Sequence, residues 1–351
     1  MDMKREYYEE IQFLRTNVER TWFLILIVGL IAFPFLFPRQ IYLANLIGIN
    51  IVVAIGLNLL VGYTGQISLG HAGFFAIGAY ATVLVMLRLH FPFWIALPIG
   101  GFVAALFGFF LGLPALRLEG PYLAVATLGF GMAVIQIISH WEGLFGGHMG
   151  LMTPKITLWP FLIRIRRDID FYFLILVVTL AMATGARNLI KTKVGRAFIA
   201  LRDSDVAAAT MGVNLTYYKT LAFAVSAFYT GIAGGLMAFV MGFINPGSFN
   251  LILSITFLAM VVVGGLGSIL GSILGAALLT FLDLKLSGLQ DLPVLGNAFV
   301  FLSKSWFSFS GLPNVRYIIY GLIMVLIVIF EPLGLFGFWI RTKIYWKRWP
   351  F

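Results

Sequence analysis

Long apolar runs separated by short polar or basic joints dominate the chain and leave it few folds to choose from. A peptide group without a hydrogen-bond partner is costly in hydrocarbon, so a run of roughly 20 apolar residues that crosses a bilayer must coil into a helix. Such runs cover 21–37, 41–61, 64–87, 93–113, 120–139, 170–190, 220–242, 251–266, 268–284 and 317–337. The stretch 251–284 reads as two short or broken helices, because Gly264, Gly265 and Gly267 interrupt it. Composition closes the water-soluble alternative: 61% of the residues are hydrophobic and 11% charged, too little polar surface to cover a soluble globule of this size. The expected fold is all-α, a polytopic transmembrane helical bundle of about ten spans with short or broken helices. The expected division is a cytosolic N-terminal arm 1–20, a membrane domain 21–340 with a cytosolic loop 191–219, and a basic cytosolic tail 341–351.

The net charge of +10 is spread over the joints between apolar runs instead of forming one cationic face, so lipid headgroups account for it and nucleic acid does not. Placing Lys and Arg on the cytoplasmic side puts both termini inside, with Lys191, Lys193, Arg196 and Arg202 in the largest inner loop. Lys155, Arg164, Arg166 and Arg167 then fall on the outer side. The arm 1–20 mixes both charge signs and is too long for the n-region of a cleaved signal, so run 21–37 is expected to be a retained span. The absence of cysteine excludes disulfides, thiolate metal sites and Cys nucleophiles.

The segment Gly62-Tyr-Thr-Gly-Gln-Ile-Ser-Leu-Gly-His-Ala-Gly73 places glycines and polar side chains at membrane depth. Irregular backbone is tolerated there only against protein or a water-filled cavity. Asn58, Gln66, Ser68 and His71 read either as lining a solute path or as hydrogen-bonding neighbouring helices; Tyr122 and Thr127, after the helix-starting Glu119-Gly120-Pro121, join them as path candidates. Gly264, Gly267, Gly271 and Gly275, at spacings of three and four, read as one small-residue helix face, and Gly108/Gly112 and Gly231/Gly235 repeat the pattern. These faces suit close packing, with an interface to a second membrane subunit as a further use. No GxxxxGK[ST] phosphate loop occurs in the chain. Within 191–219, Asp203 or Ser204 can cap a short helix that sets Val206, Ala209, Thr210 and Val213 near one face. That face is small and poor in aromatics, which suits a protein cleft better than a bilayer surface.

Three stretches together resemble the permeases of branched-chain amino acid ABC importers, of the LivM-like type: NLLVGYTGQISLGHAGFFAIGAYA at 58–81, GPYLAVATLGFG at 120–131, and GRAFIALRDSDVAAATMGVNLTYYKTLAFAVSAFYTGIAGGLMA at 195–238, continued by LAMVVVGGLGSILGSILGAALL at 258–279. The resemblance implies a five-part importer of the bacterial inner membrane. Its other parts are a second, LivH-like permease subunit, two cytosolic ABC ATPases that bind the ATP, and an external solute-binding protein. The permease itself would carry no catalytic residue, metal or cofactor. Arg202, Asp203, Asp205, Ala207, Ala208, Met211 and Gly212 match the family's ATPase-coupling helix, with Asp205 where the family often has Glu. The segment 140–169, with Trp141, Glu142, Gly146, Gly147 and Gly150, resembles its external loop. Implied solutes are leucine, isoleucine and valine; urea or another small solute is the alternative.

Two other classes meet specific objections. An ion-coupled secondary transporter needs titratable groups in mid-membrane. Ionisable residues inside the runs are few, His71 and Asp283 among them, and form no Asp/Glu/His relay. A membrane enzyme would show clustered His, Asp or Glu, and His71, His90, His140 and His148 are dispersed, the last two reading as solvated.

Overall fold

The computed structural model describes residues 17–118, 120–158, 163–164, 168–288, 313–331 and 333–348. Its helices are α1 (Asn17–Leu36), α2 (Ile41–Thr64), α3 (His71–Arg88), α4 (Phe93–Gly112), α5 (Pro121–His140), the single turn α6 (Glu142–Phe145), α7 (Asp168–Lys191), α8 (Lys193–Asp203), α9 (Asp205–Thr210), α10 (Leu215–Met241), α11 (Leu251–Gly264), α12 (Ile269–Gly288), α13 (Pro313–Phe330) and α14 (Gly334–Arg348). Each expected apolar run carries a helix. Seven helices among the described residues are long and apolar enough to cross a membrane, namely α2 to α5, α7, α10 and α11, so about ten is an approximate count of spans. Most of the first 20 residues, and Arg166, Arg167 and 349–351, lie outside the described residues.

Helix ends follow the local chemistry. Pro121 opens α5, where a missing N–H costs nothing, while the Asn214 and Asn250 side chains accept from Tyr217 N and Leu253 N to cap α10 and α11. Asn245 accepts from Ser248 N in the turn that Asn245-Pro246-Gly247 signalled.

Helix α10 is the axis of the bundle. It packs on α2, α3 and α4, and α2 in turn packs on α7 and α12. Contact is close because small residues face one another: a Cβ at Gly78 would lie 2.2 Å from Gly231 Cα, and one at Gly108 would lie 2.5 Å from Ala227 Cβ. Lipid tails are as apolar as the side chains, so dispersion between near-touching backbones has to supply the association. The most apolar windows of α3 and α10 are 72% buried, against 28% for α7, which places α7 on the outside.

Three expectations are corrected. Gly264, Gly267, Gly271 and Gly275 do not share one helix face, since the chain breaks between α11 and α12; Gly271 and Gly275 instead meet Gly264 across that break. Gly108, Gly112, Gly231 and Gly235 likewise face helices of the same chain and serve packing within the bundle. The expected run 64–87 is interrupted over 65–70 before α3 begins at His71, and in the expected run 317–337 helix α13 ends at Phe330.

Connections sort the two ends of the bundle. At the C-terminal end of α10, strand β1 (Leu151–Met152) pairs antiparallel with β4 (Phe243–Ile244), Leu151 opposite Ile244. A second small ribbon pairs β2 (Thr157–Leu158) with β3 (Ile163–Arg164). Arg88, at the end of α3, donates to Gly143 O in the same region. The short helices α8 and α9 lie at the other end, about 40 Å away by the rise of the 27-residue α10.

Candidate coupling and translocation site

Two interruptions of helical backbone meet near the α9 end of the bundle. The first follows α2. Gly65, at φ +72°, turns the chain out of the helix, with Gly65 N donating to Val61 O and Gln66 N to Leu60 O. Residues 65–70 are then non-helical until His71 starts α3. Side chains of three other helices clamp this segment. Leu69 N donates to Thr127 Oγ1 of α5 at 2.9 Å, His71 Nε2 lies 2.8 Å from Ser226 Oγ of α10, and Ala72 N donates to Ser254 Oγ of α11 at 2.9 Å. Ser68 Oγ lies 3.0 Å from His71 Nδ1, so the fully buried imidazole bridges two hydroxyls. Gly70 is needed for this approach, because a Cβ there would sit 2.3 Å from Thr127 O.

The second interruption is 265–268, between α11 and α12. Asn58 ties it to α2, its Nδ2 donating to Ser268 O at 2.9 Å and Ser272 Oγ at 2.7 Å while its Oδ1 accepts from Gly267 N at 2.9 Å. Gly62 makes room: a Cβ would lie 2.3 Å from Gly267 N. Exposed backbone groups in both breaks are thus answered by side chains, as a low-dielectric setting requires.

Helices α8 and α9 sit beside these breaks. Ser204 caps α9 by accepting from Ala207 N, and Gly212, at φ +82°, turns the chain away afterwards. Asp205 pairs with Lys219, a lysine of α10 that is itself buried, so α9 is pinned to the axis helix by a charge pair largely withdrawn from solvent. Ala208 faces inward and is buried, whereas Val206 is 76% and Met211 85% exposed, with Ala207, Ala209 and Thr210 exposed beside them. Two large apolar side chains thus project from a helix that is fixed on its other side.

The sequence candidates separate accordingly. Gln66, Ser68, His71 and Thr127 gather around 65–70, and Asn58 belongs to the adjoining break. Gln66 Nε2 donates to Thr64 Oγ1, while its Oε1 is buried with no hydrogen-bond partner. Tyr122 does not join them. It lies on the opposite side of α5 from Thr127 and is 76% exposed, because five residues along a helix turn the side chain well past the same face. In the set from Arg202 to Gly212, Ala208, Asp205 and Gly212 seat, pin and end the helix, Asp203 pairs with Arg202, and Ala207 and Met211 stand on the exposed side. Sequence reading missed Ser226, Ser254, Ser272 and Lys219; the signal available was a hydroxyl inside an apolar run, or an ammonium at the edge of one.

Discontinuous apolar helices with buried polar clamps, bound to a short capped helix at one end of the bundle, are the architecture of a polytopic membrane permease. The chain belongs to the family described as branched-chain amino acid transport system / permease component, which it matches over residues 40–328. It is 35% identical to the high-affinity branched-chain amino acid transport system permease protein LivM of Salmonella typhimurium and 36% identical to that of Escherichia coli, each match covering 75% of this chain and 68% of the relative. It is also 32% identical, over 55% of this chain and 53% of the relative, to the autoinducer 2 import system permease protein LsrC of Yersinia enterocolitica. No solved structure matches.

Proposed function

We propose that this chain is one membrane subunit of an ATP-driven importer of leucine, isoleucine and valine in a bacterial cytoplasmic membrane. Its companions on this reading are a second, LivH-like permease subunit, two cytosolic ABC ATPases that bind the nucleotide, and an external solute-binding protein. The observation that carries the reading is α9, a capped six-residue helix that exposes Val206 and, at its C-cap, Met211, and that is pinned by Asp205 and Lys219 to the axis of the bundle. Such a helix has the form of a handle for force applied from outside the membrane. The basic residues Lys191, Lys193 and Arg196 stand at the same end, which supports a cytosolic position for it and for both termini. The opposite end, with β1 paired to β4, then faces the solute-binding protein.

The solute reading follows the family and its LivM relatives. Similarity to an autoinducer 2 permease favours a second reading, a different small polar solute, with urea in the same class. Purification in mild detergent decides between them. The proposal expects ATPase subunits to co-purify and the associated external receptor to bind branched-chain amino acids; a receptor that binds another solute selects the second reading. Met211→Glu tests the handle, since a carboxylate at an apolar docking contact should abolish ATP-driven uptake while leaving membrane insertion intact. Normal uptake by that variant would remove α9 from the mechanism.

A further inference from the structure

Arg202, the penultimate residue of α8, is placed where both helix breaks converge. Its Nη1 donates to Gly62 O at 3.3 Å. That carbonyl is available because Gln66 N, its helical partner by position, bonds to Leu60 O instead. A Cβ at Gly65 would lie 3.5 Å from Arg202 Cγ, and one at Gly267 would lie 3.0 Å from Arg202 Nη1, so one guanidinium stem rests on both breaks. Asp203 Oδ1 accepts from Arg202 Nε at 3.3 Å and Nη2 at 3.2 Å and holds the fork in orientation. A cation at the end of α2 also complements the helix dipole.

Resting on the reading of α9 as a handle, we infer that Arg202 is the positioning residue that keys the α8–α9 unit into the breaks at 65–70 and 265–268. Displacement of α9 is thereby delivered to the segment carrying Gln66 and Ser68. A second tie runs in parallel. Lys219, which holds α9 through Asp205, and Ser226, which holds His71, lie seven residues apart on α10, two turns along nearly the same face. The delivered motion has somewhere to go, because the buried Gln66 Oε1 lacks a partner and leaves 65–70 with an unused acceptor for a second arrangement.

The chain contains no cysteine, so Ile67→Cys and Ala207→Cys give single spin-label sites in an importer whose other subunits are made cysteine-free. Both positions are exposed. With native Arg202, addition of ATP and vanadate should shift both labels against a reference label at Val125. In Arg202→Gln the Ala207 label should still respond and the Ile67 label should not, with solute imported per ATP hydrolysed falling roughly tenfold, the scale of one lost charge-assisted hydrogen bond. Arg202→Lys, which keeps a cationic donor, should restore much of the response. An Ile67 label that responds in Arg202→Gln as in the native protein overturns the inference. Should Arg202→Gln fail to assemble, the Ile67–Ala207 distance in the native background decides: constancy across nucleotide states supports a single unit, and a change refutes it. Loss of uptake in Met211→Glu alongside an unaltered Ile67 response in Arg202→Gln would sink only the role of Arg202, whereas normal uptake in Met211→Glu would remove the handle itself.

Discussion

At the scale of single residues, several buried polar side chains answer backbone or hydroxyl groups that the broken helices leave exposed. Asn58 is the clearest case, with three bonds from one amide. Asn58→Leu keeps the size and removes all three. It should destabilise the protein by about 1–3 kcal/mol, the range for leaving buried polar groups without partners, read as a lower unfolding midpoint in detergent. A midpoint unchanged from the native protein would mean that Asn58 does not hold α2 to the second break. His71→Ala tests the break at 65–70. With the bridge between Ser68 and Ser226 removed, import should fall while the subunit still assembles. Native transport rates in proteoliposomes would leave His71 a packing residue only.

At the scale of elements, close approach depends on where a glycine stands and not on how many there are. Gly78 of α3 meets Gly231 of α10 backbone to backbone, whereas Gly129 of α5 has nothing within 4 Å of a Cβ. Gly78→Leu should therefore drive the two central helices apart and yield aggregated or degraded protein by gel filtration, with Gly129→Leu behaving like the native chain. Equal yields of the two variants would contradict the packing of α3 against α10. The membrane helices are legible from the apolar runs, and the break at 265–268 from its glycines. The break at 65–70 was marked as irregular by its composition but absorbed into a span, because its residues are apolar enough to extend either neighbour. Gly264 and Gly271 mislead by spacing: seven residues place them together on a continuous helix, and they do meet, but across a turn.

For the molecule as a whole, the arrangement is a bundle held around α10 with its two breaks and the short helices α8 and α9 gathered at one end. Nothing in the chain matches a phosphate-binding loop. Reconstituted without nucleotide-hydrolysing companions, it should show no uphill accumulation of solute, and accumulation against a gradient under those conditions would contradict the proposed function. Low exposure along α2, α3 and α10, with far greater exposure along α7, puts α7 on the outer face of the bundle.

The sequence by itself determined that the chain is helical and membrane-embedded, since a peptide backbone in hydrocarbon has to satisfy its own hydrogen bonds and an apolar run of sufficient length does so in one way. It also placed the short capped helix, with the cap open between Asp203 and Ser204, because a cap acts within a single turn. Tertiary structure alone decided which polar residues meet. Ser226 lies 155 residues from His71, Arg202 lies 140 from Gly62, and Gly267 lies 209 from Asn58. Contacts at such separations depend on the order in which helices pack, and periodicity along one strand of chain carries no record of that order.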